Sequence, residues 1–263
     1  LEARSLKREK RRSDPHAFAH HMLGLLRETR ARIAQDFGTS LLDTSSPTRT
    51  WIWETAKDHL ATAEGMLGIR PSGDFKWLGH QPVHSIWSGD LGIEGDASAA
   101  EANAVHNAAH MVISMLRRDA WIGDKGGGWF DVGSAHAYEE VVLGTRRNYC
   151  VEETNEVPDY AGGRWEPAIL KFLARNREVM IPRLVGRQSG EFTPRDHALC
   201  WSLFEWLRAT HPRALSPILA GLQVRKPARD LFREHVGLDV LAADTAWRAW
   251  VAETYPPGKT KGR

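Results

Sequence analysis

Apolar residues fall at helical spacing from the start of the readable pattern. Phe18, Met22, Leu25, Leu26, Ile33 and Phe37 share one face of a helix expected from about Asp14 to Phe37. Asp14 suits its cap, Pro15 its first turn and Gly38 its stop. A turn at Ser45–Thr48 leads to a short strand at Arg49–Trp53, then to a helix from Thr55 to Leu67 that ends at Gly68. Gln81–Trp87 reads as a second strand, and the Gly- and Asp-rich stretch Ser88–Asp96 as loop. Ser98–Arg118 is a long helix, Gly123–Gly128 a flexible connection, and Trp129–Leu143 a helix or a loop entering one. From Glu166 onward the pattern is helical. Thr193–Ala209 opens with Thr-Pro-Arg-Asp, a capping-box pattern, and puts Leu199, Leu203, Phe204 and Leu207 on one face; a last helix spans Leu238–Glu253. The fold class is α+β: a small mixed sheet packed on the 98–118 helix, then a mainly helical lobe, with a cleft between them. The division expected is a basic tail at 1–13, an α/β lobe at 14–160, a helical lobe at 161–255 and a tail at 256–263.

Composition changes this picture little. At 263 residues the chain is long enough for one large domain or two lobes. Its 42% hydrophobic and 26% charged residues are ordinary for a globular protein, and no apolar run approaches the ~18 residues of a membrane-spanning helix. A net charge of +2 is too small to argue for nucleic acid, and the basic runs Lys7–Arg12 and Lys259–Arg263 read as solvated tails. A chain opening on Leu1 reads as a processed product or an excised domain; a signal peptide upstream would make it exported or part of the cell envelope. Cys150 and Cys200 are the only cysteines, to be read as two buried thiols or one disulfide. Eleven tryptophans invite a stacking surface, but Trp53, Trp201, Trp206, Trp247 and Trp250 sit where core residues belong.

The chemistry begins with His106 and His110 in the run His106-Asn107-Ala108-Ala109-His110. Four apart on a helix, the two imidazoles lie on one face, one turn apart, and can chelate a single zinc ion. Downstream stands Trp129-Phe130-Asp131-Val132-Gly133-Ser134-Ala135-His136-Ala137-Tyr138-Glu139-Glu140. On its tryptophan, glycine, alanine, tyrosine and glutamate, this segment resembles the signature WxxEGxAxYxE of gluzincin zinc metallopeptidases. The segments Ala198–Leu207, Leu231–Gly237 and Ala246–Trp250 are similar to the later helices of uncharacterised bacterial members, so the resemblance covers roughly Thr48 to Tyr255. It implies a metallopeptidase-like fold, a zinc ion on His106 and His110, a third ligand from the glutamate before the glycine, and a glutamate base after the first histidine.

The departures fall on the chemistry. The base position is Asn107, whose amide has no useful proton affinity near neutral pH. The third-ligand position is Val132, which offers no lone pair. His136, one turn later, reads more readily as a polar cleft residue than as a substitute ligand, and Asp131 points about 100° away from Val132. Tyr138 is an oxyanion donor or, more simply, packing; Glu139 and Glu140 read as a solvated helix face. His80 and His84 lie near the second strand and do not read as metal ligands. The expectation is a pseudopeptidase with zinc absent or weakly bound and a peptide or protein partner in the old substrate cleft. One alternative is an active zinc hydrolase using His106, His110 and His136. The other is a helical scaffold without a functional cleft.

Overall fold

The computed structural model describes residues 15–38, 48–53, 55–71, 73–77, 82–87, 97–115, 121–150, 153 and 160–257. The expected cap Asp14, the loop at 88–96, both basic runs and His80 lie outside the described residues. The chain divides into two compact units: residues 1–119 with 138–152, and residues 120–137 with 153–263.

In the first unit, α1 (Pro15–Phe37) buries Met22, Thr29, Ile33 and Phe37 and packs along α3 (Ala97–Met115). Between them in sequence come β1 (Arg49–Trp53), α2 (Ala56–Leu67), β2 (Phe75–Trp77) and β3 (Val83–Trp87). Thr55 caps α2, its side chain accepting from the Asp58 N–H, and the expected stops Gly38 and Gly68 both stand at positive φ, 86° and 67°.

The sheet order is β1-β3-β2. β1 runs parallel to β3, with Arg49 opposite Val83 and Trp53 opposite Trp87, while β2 is antiparallel. A parallel pair needs a long crossover, and the β1-to-β3 connection carries α2. Two polar residues tie that helix to the central strand. His59 Nδ1 lies 3.0 Å from Ser85 Oγ and His59 Nε2 3.2 Å from the Gly73 carbonyl. The carbonyl can only accept, so Nε2 carries the proton and Nδ1 accepts from the serine hydroxyl.

α3 follows from its composition. Alanines dominate its sequence, and alanine is the best helix former; they leave little side-chain bulk toward α1 and β3. Burial on nearly every face follows, so the polar side chains of Asn103, His106, Asn107 and His110 lie inside the unit.

The second unit is helical among its described residues. It takes the start of α4 (Gly128–Leu143), then α5 (Trp165–Arg175), α6 (Met180–Val185), α7 (Pro194–Thr210), α8 (Leu215–Gln223), α9 (Ala228–Leu231) and α10 (Val240–Thr254). Residues up to Ala137 of α4 belong here, and from Tyr138 onward to the first unit. The capping box opening α7 is present in both directions between Thr193 and Asp196.

The stretch expected as a flexible connection is an ordered turn. A 3-10 helix at Ile122–Lys125 runs into α4, and a Cβ on Gly128 would stand 2.6 Å from the Ser189 backbone nitrogen. Gly133 likewise lets α4 meet α7, since a Cβ there would lie 2.4 Å from the Cys200 carbonyl oxygen. Asp244 on α10 accepts the N–H groups of Met180 and Ile181 at 2.7 and 2.9 Å, satisfying the open start of α6.

Candidate metal centre

In the first unit the two histidines of α3 meet the end of α4 and the segment after it. His106 Nδ1 lies 3.1 Å from Glu139 Oε2, and its other nitrogen, Nε2, lies 3.2 Å from His110 Nε2. Cys150 Sγ is 3.9 Å from the same His110 nitrogen. The ligand atoms of His106, His110 and Cys150 all fall within 4.8 Å of one another, and each residue is 0% exposed.

Glu139 is also 0% exposed, which overturns its reading as a solvated helix face. Its carboxyl stays inside because its lone pairs are used. Oε1 accepts the Arg147 N–H at 2.9 Å and the Asn148 N–H at 3.3 Å, and Oε2 faces His106. Burial pushes the Glu139 carboxyl above the usual carboxylate range, and His106 together with the two backbone donors pulls it back. As a carboxylate, Glu139 accepts from Nδ1–H of His106 and fixes the tautomer that leaves an Nε2 lone pair facing His110. This is the outer partner that metal-ligating histidines usually have. Glu140, by contrast, is partly exposed beside Arg146 at 3.5 Å.

Asn107 faces a different set of groups. Its amide nitrogen donates to the Asn103 carbonyl at 2.9 Å and to Asp74 Oδ2 at 3.2 Å, and its oxygen accepts from Lys76 Nζ at 2.5 Å. His84 Nε2 stands 3.7 Å from the same Asp74 oxygen. Asn107 thus pins α3 to β2 and the residue before it. Tyr138 donates its hydroxyl to Asp36 Oδ2 at 2.7 Å, tying α4 to α1 in the same unit.

The remaining expected residues belong to the second unit. Val132 is fully buried in α4. Asp131 Oδ2 accepts from the Ser189 hydroxyl at 3.2 Å. His136 Nε2 lies 3.0 Å from His197 Nδ1, and Glu153 Oε1 stands 4.0 Å from that same nitrogen. Trp201, Trp206 and Trp247 are buried core, and Trp53 and Trp250 are half-buried.

Sequence pattern alone does not find Cys150, Glu153 and His197 as site residues. None of them shares a helix face or a short motif with His106 or His136. Of the two alternatives open for the cysteines, the structure shows the first: both are buried thiols, not joined in a disulfide. Compared with known protein families, with curated proteins and with solved structures, the chain matches none.

The donor chemistry of the first unit fits zinc. Two imidazole nitrogens and a thiolate are a normal zinc set, and Zn–N bonds of about 2.0–2.1 Å place neighbouring ligand nitrogens a little over 3 Å apart. Among the described residues, no helix is long and apolar enough to cross a membrane.

Proposed function

We propose that this chain is a zinc-binding protein without peptidase activity, its ion held in the first unit by His106, His110 and Cys150. The observation that carries the reading is the buried convergence of those three donor atoms within 4.8 Å, with Glu139 behind His106. Two imidazoles alone make a weak site; a thiolate brings the set to three protein ligands, the usual number for a zinc that retains an open position. A zinc ion bound there would supply Lewis-acid polarisation. Asn107, at the base position that the likeness implies, does not supply the proton transfer that peptide cleavage needs, because it is an amide held by Asp74, Asn103 and Lys76. On this reading the gluzincin likeness is that of a degenerate relative, and its role lies in binding, with a peptide or protein as partner.

The alternative ligand set with His136 draws less support, since Cys150 supplies a third donor within the first unit. Cobalt(II) provides the test. Protein loaded with cobalt should show thiolate-to-metal charge-transfer absorption in the near ultraviolet, abolished in Cys150→Ser and in His110→Ala. Loaded protein without that absorption would rule out the ligand set.

A further inference from the structure

We propose that the second unit carries a divalent-metal site of its own, built from His136, His197 and Glu153 and suited to a first-row ion such as zinc or iron(II). Neither His136 nor His197 is a ligand of the proposed zinc site. The ligand atoms of the three lie within 4.8 Å of one another. His136 and His197 are 0% exposed and Glu153 is 1% exposed.

The chemistry of the meeting atoms argues for a cation between them. His136 Nε2 and His197 Nδ1 are 3.0 Å apart, and Glu153 Oε1 is 4.0 Å from His197 Nδ1. Without a metal, one of the two imidazole nitrogens carries a proton and donates it to the other. A metal ion can take that proton's place between the two lone pairs, with the Glu153 carboxylate beside His197. A nitrogen pair about 3 Å apart is the spacing of adjacent ligands on one ion with bonds near 2.1 Å. Two histidines and one carboxylate on one face of an ion are a recognised set for iron(II) as well as for zinc, and the lack of sulfur makes this site harder than a thiolate site.

The surroundings hold the donors in place. His136 sits on α4 and His197 one turn into α7, the two helices that Gly133 brings together at Cys200. Trp165 packs edge-on against the His136 ring at 4.9 Å, and Phe192 stands 6.1 Å from the His197 ring. Aromatic walls exclude water and strengthen whatever charge interaction the donors make.

The test uses the full chain and counts ions. Wild-type protein loaded with cobalt(II) and desalted should hold two equivalents. His197→Ala and the near-isosteric Glu153→Gln should each hold one, with the thiolate charge-transfer absorption intact. That absorption also reports that the variants have folded. Affinity at the lost site should fall by more than about 100-fold, since even an outer partner of a ligand is worth 10–100-fold. A single equivalent in wild type, unchanged in both variants, would overturn the second site. If the thiolate absorption is absent while one equivalent still disappears in His197→Ala and Glu153→Gln, the zinc proposal falls and this one stands.

Discussion

Asn107 marks how far residue type alone carries a reading. As an amide it cannot serve as a base, and that much follows from the residue type alone. What it does instead depends on Asp74 and Lys76, which lie 33 and 31 residues away and carry no motif of their own. Removing its amide leaves a buried carboxylate and an ammonium each short of a partner, which typically costs about 1–3 kcal/mol. Asn107→Ala should therefore lose about that much stability in urea denaturation; an unchanged midpoint would mean that the network contributes nothing. His59 gives a second residue-scale prediction, in pH. Burial lowers its pKa below 6.5, outweighing Asp74, so the folded state binds fewer protons than the unfolded chain between the lowered value and 6.5. The stability that neutral His59 contributes is present above pH 6.5 and is lost as the pH falls through that window. The drop in stability on acidification should be shallower in His59→Gln than in wild type, and equal slopes would remove His59 as a cause.

Helices with their own punctuation are legible in the sequence. α1 and α2 carry a regular apolar or capped pattern and end at glycines in the left-handed region, and α7 announces itself by Thr193 and Asp196. β2 is not legible, because three residues hold too little alternation to register as a strand. The Gly123–Gly128 run misleads for a related reason: glycine marks flexibility and close approach alike, and only the partner backbone at Ser189 decides which applies. The site divides in the same way. The histidine pair on α3 is a local pattern, whereas Cys150 reaches it from 40 residues on and Glu139 reaches His106 from 33, neither with a period to give it away. The contact between α4 and α7 supplies the element-scale prediction. Gly133→Ala places a methyl group against the Cys200 carbonyl, a backbone atom that no rotamer change can clear. Overpacking of this kind costs roughly 1–3 kcal/mol or more. The variant should melt well below wild type, whereas Ala135→Gly, on the same helix, should show only the loss of propensity and packing expected of that change. A Gly133→Ala protein as stable as wild type would mean that the helices do not approach so closely.

At the scale of the molecule, the question is whether metal donors alone make an enzyme. Asn107, where the gluzincin likeness calls for a base, is spent on holding α3 to its sheet. Loss of a general base commonly costs ~10²–10⁴ in rate even where every other group is retained. Supplying by type the two residues that the gluzincin likeness calls for should not create peptidase activity. A glutamate at 107 would meet the Asp74 carboxylate and the Lys76 ammonium that now hold the asparagine, and would be paired there as a structural ion rather than poised as a base. A glutamate at 132 would replace a fully buried valine with a carboxylate whose burial carries a desolvation penalty of several kcal/mol. Wild type and the double variant Asn107→Glu with Val132→Glu are therefore both expected to leave casein and peptide libraries uncut, with zinc added or withheld. The double variant should in addition unfold at lower denaturant than wild type, because both changes bury charge. Cleavage by wild type that a chelator stops and His106→Ala abolishes would make the protein a peptidase, and the base would then have to be sought among groups other than Asn107.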